Sequence, residues 1–186
     1  MIGFALCGSF CTVGRALQEM EELCREYEVL GIVSEAVYST NTRFGRAEAV
    51  LDRIRALTGR EVIHDIVGAE PLGPKSPLEA LIICPCTGNT LAKMANGITD
   101  STVTMAAKEH LRGNRPLVIA LASNDALSAN LKNIGEMLTR KSVYFVPMKQ
   151  DDPEGKPHSL VADFTQLPQT LQGALRGKQY QRLFQI

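Results

Sequence analysis

Short apolar runs alternate with polar turns and amphipathic segments along this chain. The strand-like stretches cover residues 2–7, 29–33, 61–67, 80–84, 117–122 and 143–146. A strand that is covered on both faces of a sheet gives this pattern, although a short buried helix has the same periodicity. Strands that alternate with helices predict an α/β fold, a three-layer α/β/α domain of the Rossmann-like or flavodoxin-like kind with a parallel sheet.

The segments between these runs have apolar residues at helical spacing. The predicted helices cover about residues 15–26, 46–57, 91–98, 101–112 and 167–176, and another helix ends at 134–138. Gly59 follows the second of them as a stop signal. The proline- and glycine-rich residues 69–77 are predicted to be a loop, and residues 149–158 a surface loop or an oligomer contact. Pro85 is expected to end the strand that starts at Ala80.

Length and composition predict a folded soluble protein. The 186 residues are most simply one domain, 1–186, and 45% hydrophobic against 22% charged residues is ordinary for a globular protein. Twenty basic residues balance twenty acidic ones, so charge gives no reason to expect non-specific binding to nucleic acid or to an anionic membrane. No apolar run reaches the roughly 18 residues of a membrane span, and no secretory signal precedes the first strand, so we expect a cytoplasmic location.

Five cysteines occur, all in the first half of the chain: Cys7, Cys11, Cys24, Cys84 and Cys86. An odd number without paired C-x-x-C spacing argues against a disulfide scaffold and against a zinc ribbon. We therefore expect reduced thiols, which act mostly as small buried core residues, and no metal site.

Polar turns follow four of the predicted strands, at residues 8–12, 34–36, 85–90 and 122–125. With right-handed crossovers these turns lie along one edge of a parallel sheet, where such sheets bind ligands. Unpaired N–H groups at the helix start after Pro85 attract anions, but an ordinary capped helix also begins with Ser, Thr or Asn. The turn after the first strand lacks G-x-G-x-x-G spacing, and a simple tight turn explains it equally well.

A longer motif identifies a family. The segment PCTGNTLAKMANGITDS, residues 85–101, resembles P-x-[ST]-x-N-T-x-[AG]-K-x-A-x-G-[IL]-x-D-[NS] of the homo-oligomeric flavin-containing decarboxylase-like flavoproteins, and the similarity extends over nearly the whole chain. This family includes phosphopantothenoylcysteine decarboxylases, peptidyl-cysteine decarboxylases and flavin prenyltransferases. The resemblance implies a homo-oligomer, a trimer or a dodecamer assembled from trimers, that binds FMN at its subunit interfaces.

The resemblance also implies site residues. The FMN-binding candidates are Gly8, Ser9, Phe10, Ser34, Pro85, Thr87, Gly88, Asn89, Thr90 and Ala122. Asn124 matches the asparagine that meets the substrate carboxylate in an Ala-Met-Asn element of the family, whereas Ser123 departs from that element. No catalytic residue is assigned.

Other departures bear on the reaction. Family decarboxylases use a cysteine near the region of residues 149–158 as a proton donor, and no cysteine follows Cys86 here, which argues against cysteine decarboxylation. His64 lies further from the motif than the decarboxylase histidine and is left out of the catalytic set. Arg43 and Arg46 have the reach to contact an anion, but a solvated helix start explains them equally well.

Within the family, the chain looks most like one component of a two-component oxidoreductase. Such a component acts on a small dicarboxylate together with a partner chain that carries NAD(P), and no nucleic acid or membrane is involved. FMN-dependent decarboxylation, prenyl transfer and a non-catalytic scaffold role are the alternatives. We expect FMN itself to carry the redox chemistry in the first case.

Overall fold

A computed structural model describes residues 1–185. Its strands are β1 (Ile2–Leu6), β2 (Val29–Val33), β3 (Ala80–Cys86), β4 (Leu117–Ser123), β5 (Val143–Phe145), β6 (Met148–Lys149) and β7 (Leu160–Ala162). Its α-helices are α1 (Phe10–Leu23), α2 (Glu35–Ser39), α3 (Ala47–Thr58), α4 (Ile66–Ala69), α5 (Gly88–Ala95), α6 (Thr102–Arg112), α7 (Leu131–Leu138) and α8 (Leu167–Leu175). The predicted α/β fold is confirmed.

The central sheet is parallel in the order β2-β1-β3-β4-β5. Every residue of β1, β3 and β4 is buried, which is why these strands are apolar apart from Ser123 at the end of β4. Helices α1, α3 and α8 pack on one face, and α4, α5, α6 and α7 on the other. From β1 the chain goes to β2, which is the neighbour of β1 on one side within the sheet. It then returns to β3, which is the neighbour of β1 on the other side. This reversal makes the crevice between the carboxyl ends of β1 and β3 a topological switch point.

One edge of the sheet carries an antiparallel pair that the sequence pattern did not predict. Strand β7 pairs antiparallel with β6 and with the end of β4, where Ala122 lies opposite Val161. Strand β4 therefore has β5 beside its first half and β7 beside its end. The strand predicted at residues 143–146 is confirmed as β5, but the two strands after Pro147 were not predicted, because β6 and β7 have too few residues to leave a periodic pattern.

Strand β3 continues through Pro85 to Cys86, so the prediction that Pro85 ends it is wrong. The Cys84–Pro85 peptide bond is cis, and the pairing with β4 shifts register between Ile83 and Cys86. Proline has no N–H to donate, and it is tolerated inside a strand where the ladder is irregular. The carbonyl of Pro85 still accepts a 3.1 Å hydrogen bond from the N–H of Cys7.

The region around residues 61–77 also differs from its prediction. Residues 61–67 make only one bridge to the sheet, from Ile63 to Ile32, and are not a strand. The Asp65 carboxylate instead accepts a 2.7 Å hydrogen bond from the N–H of Gly68 and begins α4. A 3-10 helix at Glu70–Leu72 follows, so residues 69–77 are not wholly a loop. The Asp65 cap therefore starts a helix in a segment whose weak apolar pattern predicted a strand.

Several helix boundaries lie within a few residues of their predictions. Ser101 caps α6 in a reciprocal capping box with Thr104, and Gly59 follows α3 at φ 65°, in the left-handed region that favours glycine. Helices α1 and α5 begin several residues earlier than predicted, directly after the turns of β1 and β3. No helix within residues 1–185 is long and apolar enough to cross a membrane.

Two sets of partly buried contacts lie at the amino edge of the sheet. The guanidinium of Arg115 donates 2.6 Å hydrogen bonds to three backbone carbonyls, those of Gly73, Ser76 and Leu78. The side chain of His110 is fully buried, and its Nε2 lies 2.9 Å from the carbonyl oxygen of Pro116. These contacts hold the segment before β3 against the start of β4, at the end of the sheet opposite the polar turns.

Candidate functional site

A cavity of about 780 Å³ opens at the carboxyl ends of β1, β3 and β4, beside the switch point. The turns at residues 8–9, 87–89 and 122–125 form much of its wall. The sequence-predicted residues among them are Gly8, Ser9, Thr87, Gly88, Asn89, Ala122 and Asn124. Residues that are separated by more than a hundred positions in sequence thus face one space.

The other four sequence-predicted residues lie outside this wall. Phe10 lines a separate cleft of about 240 Å³ between α1 and the segment that joins α2 to α3. The Ser34 hydroxyl caps α2 by accepting a 3.4 Å hydrogen bond from the N–H of Val37. Pro85 is buried within β3, and Thr90 is buried in the first turn of α5.

The start of α1 presents hydrogen-bond donors to the cavity. Ser9 precedes the helix, but its side chain makes no capping bond to the backbone. Thr12 Oγ1 lies 2.9 Å from the Ser9 carbonyl oxygen and 3.1 Å from Ser9 Oγ, which fixes the position of the Ser9 hydroxyl. The first N–H groups of a helix have no acceptor within the helix. The start of α1 is therefore suited to hold an anionic group.

The start of α5 is tied to β1 by a chain of hydroxyls. Thr87 Oγ1 accepts a 3.2 Å hydrogen bond from the N–H of Thr90 and donates a 3.1 Å bond to Thr90 Oγ1. Thr90 Oγ1 donates in turn to Cys7 Sγ at 3.3 Å. Burial raises the pKa of the Cys7 thiol to about 11, so this sulfur stays protonated. Both threonine hydroxyls have partners inside the protein, whereas the Asn89 side chain is exposed to the cavity.

A buried polar network forms the wall after β4. Asp125 accepts hydrogen bonds from the Ser123 hydroxyl and from Asn130 Nδ2, the latter at 3.0 and 2.9 Å to its two carboxylate oxygens. Asn133 Nδ2 donates to Asn130 Oδ1 at 2.8 Å. The hydrogen bonds from Ser123 and Asn130 hold the pKa of Asp125 below its usual range, and the bond from Ser123 has the larger effect. Asp125 therefore lies ionised beside Gly88, at the start of α5.

Six residues of the wall come from beyond β6, and the sequence pattern did not predict them. They are Asp151, Lys156, Pro157, His158, Ser159 and Val161. They face the cavity because β7 pairs with the end of β4, and their Asp- and Pro-rich sequence indicated only a surface loop or an oligomer contact. Hydrogen bonds from Ser159 and Lys156 lower the pKa of Asp151, and Lys156 Nζ lies 3.0 Å from its Oδ2.

Arg15 was also missed, although it lies on the predicted first helix and lines the cavity. Its position one turn beyond the polar start of α1 was the available signal. By contrast, Arg46 lines the smaller cleft and Arg43 lies over the Phe44 ring, 4.9 Å from its centroid. Neither of these two arginines belongs to the wall of the 780 Å³ cavity.

His64 also lies outside the cavity wall. Its ring stacks on Tyr38 with centroids 4.0 Å apart, and its Nδ1 lies 3.3 Å from the Val62 carbonyl oxygen. Within residues 1–185 no group of three or more His, Cys, Asp and Glu side chains comes together in a way that would hold a metal ion. The cavity instead offers hydroxyls, amides, two helix starts and a few charges, a set suited to a polar anionic organic ligand.

Comparison with known proteins assigns this architecture to a family. The family model described as Flavoprotein matches residues 1–166. The B subunit of dipicolinate synthase from Bacillus subtilis (strain 168) is 48% identical over 181 residues, which are 97% of this chain and 90% of that protein. The crystal structure of the corresponding dipicolinate synthase chain from Bacillus halodurans C superposes with a TM-score of 0.91 at 42% identity, over 100% of this chain and 95% of that one.

A more distant structure shares the fold alone. DmrB of Burkholderia xenovorans in complex with FMN superposes with a TM-score of 0.68 at 19% identity, over 94% of each chain. The family match covers most of the chain, including every turn that lines the cavity. The sequence, the sheet order and these matches together make the chain a member of the Flavoprotein family.

Proposed function

We propose that this chain is the B subunit of a dipicolinate synthase. With an A subunit that carries NAD(P), it takes part in the oxidation of dihydrodipicolinate to dipicolinate, pyridine-2,6-dicarboxylate, during sporulation. The observation that carries this proposal is the 48% identity to the B subunit of a dipicolinate synthase over 97% of the chain. Aromatisation of the ring makes the oxidation favourable.

We further propose that the cavity at the carboxyl ends of β1, β3 and β4 binds FMN. Its volume of about 780 Å³ falls within the range of roughly 300–1,000 Å³ that is usual for cofactor sites. The uncapped start of α1 and the Ser9 hydroxyl fit a phosphate, and Asn89 offers an amide donor to a heteroaromatic ring. Membership of the Flavoprotein family and the FMN complex of DmrB support the same ligand.

Each element of the wall has a distinct role in this proposal. Ser9, Gly8 and the start of α1 bind the phosphate end of the cofactor, and the start of α5 with Asn89 orients its ring. Asn124 binds a carboxylate of the substrate beside that ring. When bound, FMN supplies the capacity to accept and release a pair of electrons. The residues after β6 complete the wall of the cavity beside the end of β4.

The assembly and its location follow the same proposal. Residues 1–186 act as a single domain that forms a homo-oligomer, a trimer or a dodecamer, and that binds the A subunit in the cytoplasm. DmrB is described as a cubic protein cage and another relative of the same fold as dodecameric, which supports a closed assembly.

Reconstitution tests the function directly. The purified chain is mixed with the A subunit, dihydrodipicolinate and the nicotinamide cofactor, and dipicolinate formation is followed with and without FMN. We expect formation to require both chains and to increase with FMN. If the A subunit reaches the same rate alone, the assignment of this chain to the synthase is wrong.

Two alternative functions predict different results in these assays. FMN-dependent decarboxylation or prenyl transfer agrees with the fold of a cysteine decarboxylase, SpaF, at a TM-score of 0.66, but no cysteine follows Cys86 to serve as the proton donor. Turnover of phosphopantothenoylcysteine by the purified chain would establish it. A colourless chain that still activates the A subunit would indicate a non-catalytic scaffold.

We expect Asn89→Ala to weaken FMN binding by about 5- to 10-fold without unfolding the chain. The substitution removes hydrogen bonds worth about 1 kcal/mol, and the exposed Asn89 side chain makes no core contact. FMN affinity is measured by quenching of flavin fluorescence. Asn96→Ala, at the far end of α5, is the matched control and leaves the affinity unchanged. An Asn89→Ala titration that superposes on wild type would count against this site.

Cys11 offers a second test of the cavity. It is the one exposed thiol among the five cysteines, and it lines the cavity wall at the start of α1. We expect iodoacetamide to alkylate Cys11 first, and bound FMN to slow this reaction about tenfold or more by covering it. The rate is measured by mass spectrometry of peptides. The half-buried Cys24 provides the internal control, since FMN leaves its slow reaction unchanged.

A further inference from the structure

One cation on the cavity wall has no carboxylate within ion-pair distance. Arg15 lines the cavity from α1 and forms no ion pair with any Asp or Glu of residues 1–185. The other long cation of the wall, Lys156, is neutralised by Asp151. Arg15 is therefore the positive charge of this wall that is available to a ligand.

The guanidinium of Arg15 contacts an aromatic ring that restricts its position before any ligand arrives. It lies over the Phe164 ring, 5.1 Å from the centroid. Phe164 is almost fully buried and forms part of a 3-10 helix, so the aromatic face below the guanidinium is rigid. A cation over an aromatic ring is stabilised by the ring quadrupole, and stacking restricts the rotamers of the arginine. Less side-chain entropy is then lost when the guanidinium binds an anion.

The other groups of the wall indicate that a carboxylate of a ligand is the best partner for the Arg15 guanidinium. Asp125 lies in the same wall, but its oxygens accept hydrogen bonds from Ser123 and Asn130. The start of α1 is the natural position for a phosphate, and Arg15 lies about one turn further along that helix. A guanidinium binds a planar carboxylate through two parallel hydrogen bonds. A ligand with two carboxylates can use Arg15 for one of them and the Asn124 amide for the other.

We propose that Arg15 binds one carboxylate of the dicarboxylate substrate and so selects dicarboxylates over monocarboxylates. This inference rests on the proposed function, and it adds a residue and a specificity to it. Arg15 is a specificity-determining residue in this scheme, and it takes no part in electron transfer. The fork also fixes the orientation of the pyridine ring, because the two anchors lie on different elements.

The test compares two pyridine acids on the full chain. Pyridine-2,6-dicarboxylate and pyridine-2-carboxylate are titrated calorimetrically into wild type, Arg15→Gln and Arg15→Lys, each with and without FMN. We expect Arg15→Gln to weaken the dicarboxylate about 10- to 100-fold, the range of a charged hydrogen-bonded pair. The affinity for the monocarboxylate changes by less than about threefold. The dicarboxylate affinity of Arg15→Lys falls between those of wild type and Arg15→Gln, because lysine keeps the positive charge but cannot make the two parallel hydrogen bonds of a guanidinium.

Arg53→Gln is the matched control. Arg53 is a partly exposed arginine of α3 that pairs with Glu21 away from the cavity, and its loss leaves both affinities unchanged. Thermal unfolding of each variant confirms that the fold is kept. Wild-type dicarboxylate affinity in Arg15→Gln overturns the inference, and so does an equal loss for both acids or a loss confined to FMN. A wild-type chain that binds the dicarboxylate through Arg15 but binds no FMN would retain this inference and refute the cofactor site.

Discussion

We expect Gly88→Ala to destabilise the chain by about 2–5 kcal/mol and to abolish flavin binding. A Cβ on Gly88 would lie 2.3 Å from Ser123 Oγ, 2.6 Å from Asn130 Nδ2 and 2.8 Å from Asp125 Oδ1. All three atoms belong to one hydrogen-bonded network, so none can move without breaking a bond to the Asp125 carboxylate. Overpacking costs about 1–3 kcal/mol, and a lost hydrogen bond to a charge about 1.5–3 kcal/mol.

Urea unfolding and FMN titration of the same preparations check this expectation. Gly135→Ala is the control, because a Cβ at this exposed position of α7 meets nothing within 4 Å. There the better helix propensity of alanine stabilises the chain by about 0.5–1 kcal/mol. Equal unfolding midpoints for Gly88→Ala and Gly135→Ala would show that an added Cβ at position 88 does not disturb the hydrogen-bonded network around Asp125.

The second large effect is a loss of stability in acid that depends on His110. Burial lowers the pKa of His110 to about 4, and the charge of Arg115 acts in the same direction. The Pro116 carbonyl only accepts, so Nε2 carries the proton and Nδ1 remains buried without a partner. A proton added at Nδ1 would have no acceptor there. The folded state therefore resists a protonation that the unfolded chain undergoes at its ordinary pKa of about 6.5.

The sign of the effect follows from this difference. Below pH 6.5 the unfolded state binds a proton that the folded state does not, so stability falls as the pH falls from about 6.5 to 4. At about 1.4 kcal/mol per pKa unit, the loss is on the order of 3 kcal/mol. Urea unfolding at pH 7, 5.5 and 4 measures it.

His110→Gln tests the assignment to this residue, since the amide donates to Pro116 and does not titrate. We expect the variant to lose most of the decline between pH 6.5 and 4. His158→Gln, a substitution of an exposed histidine, keeps the wild-type decline. A His110→Gln variant with the same decline as wild type would place the titrating group elsewhere.

Burial on both faces explains which strands could be predicted. The runs of β1, β2, β3 and β4 are apolar because helices cover both sides of the sheet, and such burial leaves a signal in any single sequence. Residues 61–67 carried a misleading signal, since the Asp65 cap directs a helix where apolar residues suggested a strand. The short strands β6 and β7 left no signal at all.

Local patterns of burial and one contiguous motif were enough to predict the fold class, the family and three of the turns that meet at the cavity. The three-dimensional arrangement was needed to find that Ser34, Phe10, Pro85 and Thr90 lie outside the cavity wall and that Arg15 and the residues after β6 belong to it. Which side chains share a cavity depends on sheet order and on the antiparallel pairing of β7 with β4. Such long-range contacts leave no periodicity along the chain, because each of them joins residues that are far apart in sequence.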